Sequence, residues 1–560
     1  MKIQPQTTAA IFPEKFDVPG LPAISKTALW IALAAIIALG FGLRTYQLGA
    51  ESFGEDEFNK LKTVEEYRTN GLTGRNGEHP FLMKGLQTAS IVASEKWNGM
   101  AGPSAAISEE AALRFPTALF GTFTSLLLFL LVSQLFGTWP GLIAAILWAV
   151  DPSAIGFDRV AKEDSFLLFF FLLANLFWIR SQTGAERGET GWMKYVYIAA
   201  FFFGSMVASK YLPHLLAISL GYNVALAFPG HKWQLKPKRW VIFFAVMGIG
   251  FLICNPTILL PQTWREMLTF GTENRIGHDS YEFLGTLYPN RMTAWFSGVP
   301  WYFYYVFILL KTPIVTLLLF FVGLPLMFRK RLGDGRYFIL LWAFMWFLPF
   351  TVLGGKFTRY FAVAEPMVLI IAAVGLIWTA SWVAGILGGQ SGRLAAFALV
   401  LIATGSSLRS SVIAAPHYRL HMNALGSGRE GTAFPHDEFY DASTFEIARQ
   451  IAAAAEPDAA VANETPALFE HYLRKAGRSD LRSFSLSDDN AVRSLNAGDF
   501  VVVAKGRTYK SNSAYLEALK GVSPMSITHI GDIESARIYK LDGSGAELLR
   551  SIANSRPRNP

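Results

Sequence analysis

Long apolar runs recur from residue 27 to residue 413, and no other feature limits the fold as strongly. An unbroken apolar stretch of roughly 17–25 residues matches the thickness of a bilayer only as a helix, because lipid offers no partner to unpaired backbone groups. On this reading about eleven stretches are spans: 27–45, 114–136, 139–155, 164–180, 194–209, 211–229, 239–260, 312–328, 336–353, 361–387 and 393–413. The composition agrees, with 52% hydrophobic and 16% charged residues in 560, against about 25% charged in soluble domains. The expected fold class is therefore an α-helical polytopic membrane protein, with a soluble portion after the last span. Phe81–Trp97 is apolar but interrupted by Lys84, Gln87, Glu95 and Lys96. It reads as an amphipathic helix lying at the interface.

Basic residues set the orientation. With the N-terminal segment 1–26 inside, the loops 180–194, 231–239, 328–336 and 388–393 are cytoplasmic. These loops hold Lys232, Lys236, Lys238 and Arg239, and Arg329, Lys330, Arg331 and Arg336, as the positive-inside rule requires. The net charge of +8 is thus explained by topology, and nucleic acid is not an expected partner. No cleaved signal peptide is read in 1–26. The single cysteine, Cys254, excludes a disulfide framework and a cysteine metal cluster. The same parity gathers on the outer face the first loop (46–113), Asp151–Asp164, Ser209–Tyr211, 255–301, Gly354–Tyr360 and everything after 414. At the end of the fourth of these, the aromatic segment Trp301–Leu310 is expected along the outer interface.

From about 434 strands alternate with helices. Ala460–Glu464, Leu481–Leu486, Asp499–Gly506 and Ala536–Leu541 read as strands, and Phe445–Ala455, Pro466–Gly477 and Ser513–Gly521 as helices. This predicts a small extracytoplasmic α/β domain over 414–549, accessory in role, and a disordered tail over 550–560. The membrane domain is 27–413. No internal repeat is visible.

Candidate chemistry lies on the outer face. Asp56-Glu57 opens the first loop after the first span. A carboxylate there can take a proton from an attacking hydroxyl, or it can simply complement a helix N-terminus. His79-Pro80 and Lys84 follow, with His79 able to titrate near neutrality and Lys84 able to hold a phosphate or to snorkel. Arg114 begins the second expected span. Asp158-Arg159 and Glu163-Asp164 flank the fourth, where charges are paired with one another or functional. Lys356, Arg359 and Tyr360 form a second cationic group, and an Arg fork suits phosphate.

Taken in order, these residues resemble the protein O-mannosyltransferase family of GT-C glycosyltransferases, and more distantly the lipid A aminoarabinose transferases. The family's first-loop Asp-Glu pair is matched by Asp56-Glu57. Its His-Pro-Pro-Leu-Gly-Lys motif is similar to His79-Pro80-Phe81-Leu82-Met83-Lys84, with the second Pro and the Gly replaced. Leu113-Arg114-Phe115-Pro116 is close to its Leu-Arg-x-x-Pro element, one residue shorter, and Asp158–Ser165 is similar to its Ser-Arg-Tyr-Ile-Leu-Leu-Asp-Ser segment. Lys311-Thr312-Pro313 and Lys356-x-x-Arg359-Tyr360 also match in order. The resemblance covers about 50–415. It implies a GT-C fold and a polyprenyl-phosphate sugar, mannose among the candidates, as donor. It implies inversion at the anomeric carbon, Asp56 as base with Glu57 beside it, and His79, Lys84, Arg114, Arg159, Asp164, Lys356, Arg359 and Tyr360 as substrate- and phosphate-binding residues. No MIR-type domain is present, and the α/β domain is outside the eukaryotic pattern, so the expected relative is prokaryotic. The expected acceptor is a hydroxyl of a protein Ser/Thr, a lipid or a cell-surface glycan. Membrane lipids are the other expected partners. The residues call for no particular cofactor, and a divalent cation is the one candidate. The rival class, a transporter or lipid flippase, calls for repeated halves and mid-span ionisable residues; here the charges sit mainly at the outer ends of spans.

Overall fold

A computed structural model describes residues 21, 24–227, 235–272 and 278–556. Most of the segment 1–26, Lys232 and the last four residues lie outside them. In chain order, α1 (Lys26–Thr45) is followed by the first-loop helices α2 (Glu55–Asn70) and α3 (Phe81–Met100). Next come α4 (Glu109–Phe136), α5 (Thr138–Val150), α6 (Pro152–Asp158), α7 (Asp164–Glu186), α8 (Met193–Val207), α9 (Leu216–Ala227) and α10 (Pro237–Cys254). A connecting region holds α11 (Pro261–Thr272), the hairpin β1 (Ser280–Phe283) and β2 (Thr286–Pro289), and α12 (Phe303–Lys311). The bundle closes with α13 (Ile314–Leu326), α14 (Gly335–Val352), α15 (Glu365–Leu387) and α16 (Gly389–Ala414).

Each expected span falls on one of these helices. Among the described residues seven are long and apolar enough to cross a membrane, and α5 with α6 makes an eighth candidate, bent by 63°. The bend follows from sequence: Asp151 caps α6 by accepting from the Ala154 N–H at 2.9 Å, and Pro152 cannot continue α5. α8 and α13 are apolar but shorter, so the full count of eleven is not reached by length alone. α3 is the helix expected over Phe81–Trp97; it is not among the helices long and apolar enough to span, and its Lys84 and Gln87 are buried. Large apolar side chains on α10 and α16, such as Phe244, Ile253, Phe397 and Ile402, point outward and form the surface suited to lipid. Inside, helices approach through glycine. A Cβ on Gly323 of α13 would stand 2.0 Å from the Ile371 carbonyl of α15, and one on Gly375 of α15 2.1 Å from the Leu319 carbonyl, a small-residue crossing of the kind membrane helices use.

The aromatic segment expected along the outer interface is partly core. Trp301, Tyr302 and Tyr305 are exposed, whereas Phe303, Tyr304 and Phe307 turn inward and meet Phe361 and Phe434. Burial of one helix face, which composition alone cannot assign, is the reason.

The C-terminal portion holds α17 (Pro435–Phe439), α18 (Thr444–Ala454), β3 (Ala460–Asn463), α19 (Pro466–Lys475), β4 (Arg482–Ser485), α20 (Asp489–Val492), β5 (Phe500–Ala504), α21 (Ser513–Leu519), β6 (Ser526–Ile530), β7 (Ile533–Lys540) and α22 (Gly543–Ser555). The four expected strands and three expected helices are all there. The five-stranded sheet runs β4-β3-β5-β7-β6, with β3 parallel to β4 and β5, and β7 antiparallel to β5 and β6. The tail expected to be disordered from 550 is instead helical through Ser555, because Ala546, Leu549 and Ala553 form a buried stripe along α22. One side of the domain shares a core with the first loop: Phe53, Phe58, Leu61 and Val64 pack with Ile447, Phe469, Tyr472 and Phe500.

Candidate active site

α2 is built to present acids. Gly54 precedes it, its N–H donating to the Glu57 carboxylate at 2.8 Å, and Glu55, Asp56 and Glu57 fill the first turn, where the helix dipole favours negative charge. Adjacent helical residues point about 100° apart, and the pair divides accordingly. Glu57 turns inward. Both its oxygens are taken by Arg114, at 2.8 and 2.7 Å, and the Ala161 N–H adds a bond at 2.7 Å. Asp56 turns toward open space and lines a polar cavity of about 660 Å³.

Asp56 is held by one oxygen. Oδ2 accepts from Lys162 Nζ and from the Tyr440 hydroxyl at 3.1 Å, and stands 3.1 Å from the Arg359 guanidinium. No described residue donates a hydrogen bond to Oδ1. Burial acts to raise the Asp56 carboxyl, but Lys162 and Arg359 draw it well below the usual carboxylate range, so the group is an anion at neutral pH. Arg359 itself lies over the Phe357 ring, its guanidinium carbon 4.4 Å from the centroid. Tyr440 takes a left-handed backbone (φ 45°, ψ 48°), and its ring rests where Gly54 has no side chain: a Cβ there would meet the ring at 2.1 Å. Asp441, also left-handed at φ 62°, accepts from the Glu55 N–H at 3.0 Å and from Arg507 Nε at 2.8 Å.

A second, smaller and mainly apolar cavity lies behind this group. Phe157, Val160, Phe307 and Ala362 line it, with Lys311, Arg419, Asp164 and Thr358 at its polar edge. Two of its carboxylates are matched with cations, Asp164 with Lys210 at 2.6 Å and Glu438 with Lys311 at 2.5 Å, and the third, Asp437, accepts from the Tyr281 hydroxyl and the Thr358 N–H. Lys162, Arg359 and Tyr440 line both cavities.

Comparison with known proteins bears on what such a site belongs to. Residues 104–260 match the family model described as dolichyl-phosphate-mannose-protein mannosyltransferase. No curated protein matches the sequence. Among solved structures, ArnT from Cupriavidus metallidurans in its apo state superposes with a TM-score of 0.51 at 14% identity, covering 92% of this chain and 98% of that one. The oligosaccharyltransferase of Archaeoglobus fulgidus, tethered to an acceptor peptide containing the NVT sequon, gives 0.52 at 12% identity over 86% of this chain and 69% of that one. The fold is that of the GT-C glycosyltransferases. The family model on 104–260 agrees with that fold.

Within this site the sequence-derived residues separate into two groups. Asp56, His79, Arg359 and Tyr360 line the larger cavity and Asp164 the smaller. His79 Nδ1 is 3.0 Å from Glu163, which also pairs with Lys60 at 3.0 Å; burial holds the His79 ring well below the usual histidine range and therefore neutral. The remaining cations stabilise the scaffold instead of facing substrate. Arg114 is spent on Glu57 and on the carbonyls of Glu51 and Ser52. Lys84 donates to the carbonyls of Arg75 and Asn76, at 3.2 and 2.8 Å. Arg159 caps the end of α1 through the carbonyls of Arg44, Tyr46 and Gln47. Lys356 is buried against the carbonyls of Val299 and Leu353. Glu57 is likewise removed from the cavities. The mutual pairing expected of Asp158 with Arg159 does not occur, since Asp158 bonds Arg44 at 2.8 Å. The C-terminal portion reaches the site: Tyr440 and Arg507 belong to the cavity wall. No motif announces either, because each reaches α2 from some four hundred residues away. Among the described residues no group of three His, Cys, Asp or Glu is placed to hold a metal ion.

Proposed function

We propose that the protein is an inverting glycosyltransferase that moves a sugar, mannose by the wording of the family model, from a polyprenyl phosphate to a hydroxyl acceptor on the outer face of a prokaryotic membrane. One observation carries the reading: the Asp56 carboxylate stands at the partition between an apolar cavity edged with cations and a polar cavity of about 660 Å³. The lipid phosphate enters by the first and the acceptor by the second. Lys162 and Arg359 hold the phosphate. Asp56 Oδ1 takes the acceptor's proton as the acceptor oxygen bonds to the anomeric carbon; the bond from that carbon to the phosphate oxygen breaks, and the electron pair leaves with the polyprenyl phosphate. Base and leaving group are on opposite sides of the sugar, so a single displacement inverts the anomeric centre. His79 and Tyr360 contact the sugar or acceptor from the polar cavity, and the acceptor is a protein Ser/Thr, a lipid or a glycan.

A positioned carboxylate base contributes about 10²–10⁴-fold. Single-turnover transfer in membranes, with glycolipids and glycoproteins followed by mass spectrometry against a deletion strain, is expected to show a loss of that order for Asp56→Asn. Transfer by Asp56→Asn at close to the wild-type rate rejects the assignment.

A further inference from the structure

The two cavities have three wall residues in common, Lys162, Arg359 and Tyr440, and these are the three groups gathered on Asp56 Oδ2. We infer that this trio serves two anions in turn, Asp56 in the donor-free enzyme and the donor's phosphate once it is bound, so that arrival of the donor releases the Asp56 carboxylate. The inference rests on the function proposed above and adds Lys162 and Tyr440 to the groups that touch the donor.

Charge balance picks out the trio. The other cations of the smaller cavity have carboxylates of their own: Lys311 with Glu438 at 2.5 Å, Arg419 with Glu51 at 2.5 Å. Asp437, the other acid near Arg359, accepts from the Tyr281 hydroxyl at 2.6 Å and the Thr358 N–H at 2.8 Å. Lys162 and Arg359, in contrast, both lean on the one carboxylate of Asp56 and both line the apolar cavity. A phosphodiester anion arriving there meets two cations and a hydroxyl whose hydrogens point at a neighbouring anion, and charge-assisted bonds to its oxygens compete for them.

The exchange has a chemical consequence. A carboxylate with three donors on it is a weak base. When Lys162, Arg359 and Tyr440 turn to phosphate, Asp56 loses their stabilisation and gains an anionic neighbour, and both changes raise its proton affinity. The other charged groups that act on this cluster are Glu55 and Lys60 on the helix of Asp56, Glu163 beside Lys162 and Asp437 beside Arg359, with His79, neutral, from the turn before α3. The base thus becomes competent when the leaving group is in place. As the sugar–phosphate bond breaks, charge grows on the phosphate and the same donors hold it more firmly, which favours the transition state over the ground state.

The test uses the full-length protein in detergent and undecaprenyl methyl phosphate, a diester with no proton to exchange in the working range. Titration calorimetry at about pH 5 in buffers of different ionisation heat is expected to show proton uptake on binding. Asp56→Asn is expected to bind the diester roughly 10-fold more tightly, because a competing anion is gone, and without proton uptake. Tyr440→Phe, which keeps the ring over Gly54, is expected to bind roughly 2- to 10-fold more weakly. Binding of the wild type without proton uptake, equal uptake in Asp56→Asn, or weaker binding by Asp56→Asn each overturns the exchange. The base assignment is judged separately: normal transfer by Asp56→Asn together with lost proton uptake leaves the exchange standing and removes the base.

Discussion

Arg114 and Arg359 are both cations on α2's acids, yet they do different work, and substitution separates them. Arg114 is 2% exposed and makes a two-pronged contact with a Glu57 that is fully buried. Arg114→Ala strands that carboxylate in the interior, and removing one partner of a buried pair costs about 3–5 kcal/mol. A large fall in the thermal unfolding midpoint in detergent is expected, with donor affinity in the surviving folded fraction close to wild type. Arg359→Ala is expected to do the reverse: near-normal unfolding, and a loss of roughly 10- to 150-fold in donor use, the worth of a charge-assisted bond to phosphate. Side-by-side melting curves and donor titrations check both. The sequence could identify cations out of place on an outer face, but not which of them end on backbone carbonyls. Lys84, Arg159 and Lys356 all cap carbonyl groups, a role decided by the path of neighbouring loops. Asp56 was legible because the helix start around it is local; Tyr440 was not, because its contact with Asp56 spans 384 positions.

At the scale of elements, apolar run length found the long helices of the bundle, though α5 and α6 were read as one span, since lipid leaves a helix as the only economical choice. It could not find where helices touch. The α13–α15 crossing depends on Gly323 and Gly375, and a side chain at either position runs into a carbonyl of the other helix. Gly375→Val is expected to insert normally but to lose about 1–3 kcal/mol through overpacking, read as a lowered unfolding midpoint, whereas Gly405→Val on α16, with open space around its Cβ position, is expected to change little. Equal effects at the two positions would show that the crossing contributes nothing. The missed strand β6 and the hairpin β1–β2 are short, at five and four residues, and lack the continuous apolar run that marks β5.

For the whole molecule, the C-terminal domain is locked to the first loop by Glu51, which meets Arg419 at 2.5 Å and His417 at 2.9 Å. Burial acts to raise the Glu51 carboxyl, and the two basic partners outweigh it, bringing it from 4.5 to about 2. Because the folded value is below the unfolded one, the lock is at full strength above pH 4.5 and is lost as the pH falls toward 2. A shift of that size is worth about 3 kcal/mol. Limited proteolysis between bundle and domain is therefore expected to stay slow down to about pH 4 and to accelerate below it, and Glu51→Gln is expected to show the fast rate already at neutral pH. Orientation is tested with Lys510→Cys in a Cys254→Ser background: an impermeant thiol reagent added outside is expected to label it, and labelling only from the cytoplasmic side reverses the topology.

The residues around Asp56 come from α2, the turn before α7, the segment before α15 and the start of the C-terminal portion. The last of these, Tyr440, follows the final helix of the bundle in the chain. A protein made from its N-terminus therefore completes its membrane part while Tyr440 and Arg507 are still unmade. On the proposed topology both must then be exported before they can settle on α2. On the proposed function, synthesis itself acts as a timer: the nascent chain is anchored among lipid donors before it can use them.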